Sequence, residues 1–285
     1  MNPTAMVGDI KIIALNDLVE KQSLMEFFPS VSNEDARKYE ALYPNRIAQR
    51  LLDPWVFFCF LIQDHGKNIL VDAGVGGGLA DHKTFAPEWE GHLLDRLAEE
   101  GIAPEEIDVL VFTHVHPDHV GWATTWKDGA FRKTFPNARY IVQQTDIIAA
   151  LEGDLRKAFQ AGCLEVCVEP LYVNGEFELI DTEELQLTDA VLLKRMPGHT
   201  PGAMCIIVES SGERAFFVGD IAANPLEVTD PDQRFAFDYN VQDALRMRKN
   251  LLEHMAEPGN LFGACHFGLG RLEKTDDQWY WREII

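Results

Sequence analysis

Three histidines and one aspartate lie within six consecutive residues of the sequence. They directly follow residues 109–112, whose apolar side chains are typical of a buried strand. Neutral imidazole and carboxylate groups are the ligands that zinc-type cations prefer. A polar surface loop is the alternative interpretation, but histidines crowded after a buried strand would cost stability without a partner. The segment therefore predicts a metal site made by His114, His116, Asp118 and His119.

The expected local geometry brings these side chains together. Alternate residues of an extended chain point the same way, so His114 and His116 can face one point. Pro117 then ends the strand and turns the chain, because its ring fixes φ and its nitrogen cannot donate a hydrogen bond. This turn brings Asp118 and His119 around toward the same point.

Three more side chains of ligand type follow strand-like apolar runs elsewhere in the chain: His199, Asp220 and His266. Taken singly, each could be an ordinary structural residue. In layered α/β folds, however, the carboxyl ends of strands commonly meet at one rim, where loops build a site. Together with the histidine-rich segment, the three positions predict one shared metal centre.

The elements that must position these residues can be predicted from hydrophobic periodicity. Apolar runs predict strands at residues 10–14, 57–62, 69–71, 109–112, 140–142, 191–193, 205–208, 215–218 and 261–264. Amphipathic segments predict helices at residues 34–42, 90–100, 146–151 and 241–256, with Asn33, Thr145 and Asn240 as N-caps. Strands that come first in pairs and then alternate with helices indicate a layered α/β fold. No linker divides the chain, so residues 1–285 are expected to form a single domain.

Composition narrows the class of protein. The 285 residues are 46% apolar and 25% charged, as in an ordinary globular protein. The net charge of −21 repels a polyanion, so nucleic acid is not an expected partner. No apolar run approaches the roughly 20 residues of a membrane helix, and residues 1–9 lack the pattern of a signal peptide. Five cysteines without a disulfide pattern favour a reduced, cytoplasmic protein. Without a long apolar run, no membrane association is expected.

The order of the motifs resembles that of the metallo-β-lactamase superfamily. H-x-H-x-D-H at residues 114–119 is followed by G-H at 198–199, G-D at 219–220 and a late histidine at 266. The resemblance starts at the sequence VDAG of residues 71–74 and so covers nearly the whole chain. It implies a four-layer αββα sandwich with a dinuclear metal site at one rim.

The resemblance also implies a role for each side chain. The first metal ion would be held by His114, His116 and His199. The second would be held by Asp118, His119 and His266. Asp220 would bridge the two ions, and Asp118 and Asp220 would be the catalytic carboxylates. Asp72 would orient a ligand by a hydrogen bond, although an ordinary turn after the strand at 69–71 is the alternative for this residue.

Residues 116–126 and 135–140 look most like the lactonase and phosphotriesterase group of this superfamily. The resemblance to this group implies two divalent metal ions, with zinc as the first choice and manganese, cobalt or iron as alternatives. It also implies a bridging hydroxide that opens a lactone or carboxylic ester. Phosphotriester hydrolysis on the same site is one alternative, and a mononuclear iron dioxygenase of the persulfide type is another. Quorum-quenching lactonases have a substrate-contacting tyrosine three residues past the bridging aspartate. Here that position is Ala223, which argues against acyl-homoserine lactones as substrates.

Aromatic side chains near the motifs are candidates for the wall of a substrate pocket: Trp122, Phe28 and Phe237. An apolar pocket around a few polar groups suits a small hydrophobic ester or lactone. The alternative interpretation places these rings in the core. Residues 1–50 are a candidate capping or dimer segment, and the resemblance suggests a homodimer with residues 25–43 as one contact.

Overall fold

The computed structural model describes residues 2–77, 90–157 and 162–284. Its strands are β1 Thr4–Val7, β2 Ile10–Ser23, β3 Ile47–Ala48, β4 Leu51–Asp64, β5 Lys67–Val71, β6 Val109–Val111, β7 Thr124–Lys127, β8 Ala130–Lys133, β9 Arg139–Gln143, β10 Phe177–Ile180, β11 Glu184–Gln186, β12 Val191–Arg195, β13 Met204–Ser210, β14 Glu213–Phe217, β15 Leu261–Ala264, β16 Gly268–Thr275 and β17 Gln278–Glu283. Its α-helices are α1 Leu24–Phe27, α2 Asn33–Leu42, α3 Leu93–Glu99, α4 Pro117–Val120, α5 Gln144–Leu151, α6 Glu169–Val173, α7 Pro225–Thr229 and α8 Val241–Asn250. Shorter turns of 3₁₀ or π type lie at Pro104–Glu106, Gly121–Ala123, Asp154–Lys157, Leu164–Val168 and Leu251–Met255.

Within the described ranges, the strands form two large sheets and a two-stranded one. The first large sheet has the order β1-β2-β4-β5-β6-β9-β10, with β3 paired to β4, and the second runs from β11 to β17 in sequence order. The strands β5, β6, β9 and β10 are parallel neighbours, and so are β14 and β15. Parallel strands end at the same edge of a sheet, so the loops after β5 and β6 share one edge, and those after β14 and β15 share another.

The core is layered because side chains alternate along the strands. In β4, Phe60 and Ile62 face the second sheet, and Leu61 faces the helices outside the first sheet. The helices α3 and α5 cover the first sheet through residues such as Leu97. The turn that follows α8 covers the second sheet through residues such as Leu252. This arrangement is the predicted αββα sandwich, and the fold expectation is confirmed.

The N-terminal helical segment packs beside the later loops. Phe28, Tyr39 and Tyr43 are buried against Leu226 and Phe235, which follow the strand β14. The segment therefore packs against the loops that follow β14, and its capping role stays a prediction. The homodimer contact expected for residues 25–43 stays a prediction.

None of the described helices is long and apolar enough to cross a membrane.

A buried carboxylate joins three elements behind the histidine-rich segment. Asp17 lies where the pairing of β2 with β4 shifts register. Its fully buried side chain accepts hydrogen bonds from the backbone N–H of Val75 at 2.6 Å and of Leu93 at 2.7 Å, and from the indole N–H of Trp122 at 3.1 Å. The carboxylate thus fixes the loop after β5, the start of α3 and the ring of Trp122.

The titration of Asp17 predicts a pH-dependent stability. Burial raises the pKa of Asp17 from 3.8 to about 6. Between these values the folded protein keeps a proton that the unfolded chain has released, so the free energy of unfolding should fall as pH rises, with a slope approaching about 1.4 kcal/mol per pH unit. Asp17→Asn should lack this component. Denaturant unfolding of both proteins in a chelator, at several pH values in this window, measures it; a difference between them that does not vary with pH would contradict the account.

Candidate metal centre

The predicted ligands come together at one rim of the sandwich. The histidine-rich segment follows β6, and its second half forms the short helix α4. His199, Asp220 and His266 follow β12, β14 and β15 by a few residues each. The two sheets therefore contribute opposite sides of one cluster of imidazoles and carboxylates. All seven predicted ligands belong to this cluster.

Three histidines form the first donor group. The Nε2 atom of His114 lies 3.1 Å from Nδ1 of His116, which lies 2.9 Å from Nε2 of His199. A tetrahedral zinc ion with bonds of about 2.0–2.2 Å places its ligand atoms about 3.3–3.6 Å apart. The observed spacings are slightly shorter than this, so a small movement of the rings would accommodate an ion.

The second donor group combines carboxylates with two histidines. Oδ2 of Asp118 lies 3.6 Å from Nε2 of His119 and 3.4 Å from Nε2 of His266. Oδ2 of Asp220 lies 3.1 Å from Nε2 of His266 and 3.5 Å from Nε2 of His199. Asp220 thus reaches both groups, in the position expected of a bridging carboxylate.

Partners on the far side of each ring orient four of the histidines. The outer contacts are His114 Nδ1 with Thr113 Oγ1 at 3.1 Å, His119 Nδ1 with Asp72 Oδ2 at 2.8 Å, His199 Nδ1 with Asp238 Oδ1 at 3.2 Å and His266 Nδ1 with the carbonyl of Val56 at 3.1 Å. An acceptor at Nδ1 holds the proton there and leaves Nε2 as the donor of a lone pair. Asp72 is held in turn by the N–H and hydroxyl of Thr113, at 2.6 and 2.7 Å.

Two buried atoms of this cluster show that it suits a cation. Among the described residues, neither His119 Nε2 nor Asp220 Oδ1 has a hydrogen-bond partner. The two atoms face each other at 3.5 Å. Unpaired buried polar atoms are costly, whereas an ion between them would bind both. The donor chemistry, imidazole nitrogen and carboxylate oxygen, therefore fits the divalent metal that the sequence predicts.

Electrostatics set the protonation states of the two groups. Burial, followed by the neighbouring imidazoles, holds the pKa of His114 and His116 well below the usual value, so both rings are neutral lone-pair donors at neutral pH. Burial acts against ionisation of Asp220, but His266 and His119 beside it lower its pKa well below the usual range. These neighbours therefore favour the ionised form of Asp220, which is the form that binds a cation.

A cavity of about 590 Å³ opens onto the ligands. Its lining includes His116, Asp118, His199, Asp220 and His266 on one side. Aromatic rings supply much of the remaining wall: Phe27, Trp55, Phe57, Phe235, Phe237 and Tyr239. The volume lies within the range of about 300–1,000 Å³ that is typical of small-molecule sites.

The structure places one of the three predicted pocket residues on this cavity. Phe237 lines the cavity, as predicted, but Trp122 and Phe28 do not. The ring of Trp122 packs on the core beneath the first sheet, because its indole N–H is held by Asp17. Phe28 is fully buried and lies behind Phe235, with ring centroids 5.3 Å apart. Proximity in sequence to a ligand therefore did not place a ring in the pocket.

Sequence reasoning missed several residues of the site. Trp55 stacks on the ring of His266 at 4.1 Å, yet it lies in an apolar run that indicates only a strand. Asp238 contacts His199 from a loop that carries no motif. Cys265 offers its sulfur to a group with Asp118, His119 and His266, in which the donor atoms lie within 4.8 Å of one another. Its place beside His266 is the one signal in the sequence that points to it.

Comparisons with known proteins place this geometry in a family. The family model of the metallo-beta-lactamase superfamily matches residues 52–258, which is more than half of the chain. The chain belongs to the metallo-beta-lactamase superfamily. The resemblance seen in the order of the histidine and aspartate motifs is thereby confirmed.

Individual relatives of the superfamily are distant in sequence. The N-acyl homoserine lactonase AiiA of Bacillus thuringiensis subsp. kurstaki is 26% identical over 185 residues, covering 60% of this chain and 63% of the relative. The match thus spans less than two thirds of that relative's length. Two solved structures share the fold. The hydrolase AbOPH has a TM-score of 0.81 and 23% identity, and the match covers 100% of this chain and 97% of that chain. AidC, a dizinc quorum-quenching lactonase, has a TM-score of 0.78 and 22% identity, and the match covers 99% of this chain and 96% of that chain.

Proposed function

We propose that this protein is a metal-dependent hydrolase that opens a lactone or carboxylic ester carrying an apolar group. The observation that carries the proposal is that two groups of imidazole and carboxylate donors border one cavity with aromatic walls. The superfamily membership and the lactonase relatives support the same reaction class. A cytoplasmic location and a homodimer stay predictions.

The two donor groups are assigned to two divalent ions, with zinc as the first choice for this ligand chemistry. One ion would be held by His114, His116 and His199, and the other by Asp118, His119 and His266. Asp220 would lie between them. When bound, such ions polarise an ester carbonyl and lower the pKa of water to about 7. A mononuclear oxygenase needs one donor group, whereas this chain supplies two.

The protein's own side chains then supply proton transfer and binding. The side chain of Asp118 is 19% exposed and faces the cavity, against 4% for Asp220. Because Oδ2 of Asp118 faces His119 and His266, its Oδ1 is the atom assigned to carry a proton to the leaving alkoxide. The rings of Trp55 and Phe237 would bind the apolar part of the substrate and exclude water.

The position of Ala223 shapes the choice of substrate. Ala223 is fully buried and its N–H donates to Glu227 at 2.7 Å. No hydroxyl can reach the substrate from there, so the carbonyl contact made by the tyrosine of quorum-quenching lactonases is missing at this position. Lactones and esters are therefore proposed as a class of substrates.

A paired initial-rate assay tests the proposed function. Zinc-loaded protein is given a panel of alkyl and aryl lactones, aryl carboxylic esters and one aryl phosphotriester, with Asp220→Ala as the blank. We expect turnover of at least one lactone or ester well above the blank and weaker turnover of the phosphotriester. The opposite ranking would assign the site to phosphotriesters, and turnover equal to the blank for every substrate would contradict the proposal.

A further inference from the structure

A buried carboxylate holds the outer nitrogen of His199. Oδ1 of Asp238 lies 3.2 Å from Nδ1 of His199, and both side chains are at most 1% exposed. The opposite nitrogen, Nε2, faces His116 at 2.9 Å. For Nε2 to offer a lone pair to the first donor group, Nδ1 must carry the proton, and the side-chain oxygen of Asp238 is placed to accept that hydrogen bond.

Asp238 is itself held by a buried ionic cluster. Its Oδ2 lies 3.9 Å from Nη2 of Arg248, and Nη2 also forms an ion pair with Oε1 of Glu227. The three side chains are at most 1% exposed. Burial raises the pKa of Glu227 to about 8, although the guanidinium of Arg248 acts in the opposite direction. The other nitrogens of Arg248 are anchored to the backbone: Nε donates to the carbonyl of Ile221 and Nη1 to that of Gln233, both at 2.8 Å.

The same cluster fixes the wall of the cavity. Asp238 lies between Phe237 and Tyr239, which both line the cavity. The N–H of Tyr239 donates to the carbonyl of His199 at 3.1 Å, and the N–H of Asn240 donates to the carbonyl of Gly198 at 2.8 Å. The segment that carries the aromatic rings therefore runs along the loop that carries the predicted ligand.

A close approach of backbones holds this loop in place. A Cβ atom on Gly198 would lie 2.3 Å from the backbone nitrogen of Ala244 in α8. Arg248 lies one turn further along the same helix. The helix thus contacts the ligand loop directly through Gly198 and indirectly through the chain Arg248, Asp238 and His199.

We propose that Asp238 is a positioning residue that fixes the ring and tautomer of His199, and that Arg248 and Glu227 hold Asp238 in place, so that the first metal group and the aromatic wall are built as one unit. This inference rests on the proposed function only in taking His199 as a ligand. Carboxylates in this position raise the basicity of a ligating imidazole, and their removal typically weakens metal binding about 10–100-fold.

The test compares two carboxylates of the same loop in the full-length protein. Asp238→Asn keeps the shape and removes the charge next to His199. Asp230→Asn is the matched control, because Asp230 accepts hydrogen bonds from Tyr39 at 3.0 Å and Gln233 at 3.1 Å and is not in the predicted ligand groups. Zinc affinity is measured by competition with a chelator. The Nδ1–H resonances of the histidines are followed by proton NMR of the cobalt-loaded protein.

We expect Asp238→Asn to weaken zinc binding about 10–100-fold and to shift or broaden one histidine Nδ1–H resonance, while Asp230→Asn leaves both readouts at wild-type values. Asp238→Glu, which restores the carboxylate, should recover part of the affinity. Wild-type zinc affinity in a folded Asp238→Asn protein would overturn the inference. So would an equal loss in Asp230→Asn, which would indicate a merely structural role of the loop.

These readouts need no substrate. If Asp238→Asn weakens zinc binding but the wild-type protein hydrolyses no lactone or ester, the proposed function is refuted and the inference stands. If the wild-type protein hydrolyses lactones but Asp238→Asn leaves the zinc affinity unchanged, the inference is refuted and the proposed function stands.

Discussion

Replacing Asp220 by alanine should lower kcat/KM for the best lactone or ester by about a thousand-fold or more and reduce the bound metal from two ions per chain to at most one. Asp220 is the residue whose carboxylate reaches both donor groups, at 3.1 Å from His266 and 3.5 Å from His199. Losing one of two ions removes several kcal/mol of transition-state stabilisation, and each 1.36 kcal/mol is about a factor of ten in rate.

The matched control is Asp146→Asn. Asp146 is also a fully buried carboxylate near the site, but it binds the hydroxyl of Thr200 at 2.9 Å and the N–H of Gly202 and is not in the predicted ligand groups. We expect this variant to keep two ions per chain. Metal content is measured by inductively coupled plasma mass spectrometry alongside initial rates. An Asp220→Ala protein with two ions and full turnover would refute the dinuclear assignment.

Replacing Gly121 by alanine should lower the free energy of unfolding by about 1–3 kcal/mol, because an added atom in a packed site forces a backbone shift. A Cβ atom on Gly121 would lie 2.0 Å from the carbonyl carbon of Val75. The two segments are also joined by a hydrogen bond of 2.8 Å from Gly121 N–H to the carbonyl of Gly74. A shift here would move α4, which carries Asp118 and His119.

The sign of this effect is diagnostic. The φ angle of Gly121 is −57°, which suits alanine. Without the steric overlap, glycine to alanine at such a position would stabilise the protein by about 0.4–1 kcal/mol. Denaturant unfolding of both proteins measures the difference. A neutral or stabilising result would mean that the loop after β5 yields easily and does not fix the histidine-rich segment.

Much of the centre could be predicted from the sequence because its ligands follow short apolar strands. A strand is recognisable from a run such as residues 109–112, and the topology then brings the strand ends to one rim. The order of the motifs, through the resemblance to the superfamily, assigned His199 to the first metal ion and His266 to the second. None of this depends on details of side-chain packing.

The parts that could not be predicted depend on long-range contacts. Trp122 follows the ligands closely but is turned inward by Asp17, more than a hundred positions earlier in the chain. Asp238 contacts His199 across 39 positions, and no local pattern marks it. The hydrophobic periodicity of the sequence indicates which side chains are buried, but it does not indicate which of them accept or donate a hydrogen bond to a distant residue.

Helix ends were predicted with mixed success for a local reason. Asn240 caps α8 by accepting from the N–H of Asp243, as predicted. Asn33 does not cap α2, because Ser32 one residue earlier forms a capping box with Asp35. Thr145 lies inside α5, which begins at Gln144. Several adjacent residues can serve as caps, and the choice among them is made by the direction in which the chain enters the helix.

Metal-free protein titrated with zinc, while turnover of a single lactone or ester from the panel is followed, shows whether two metal ions held by this chain drive hydrolysis. We expect the metal-free protein to be inactive and the rate to rise until two equivalents of zinc per chain have been added. A rate that is already full at one equivalent, or one that is the same without metal, would contradict it.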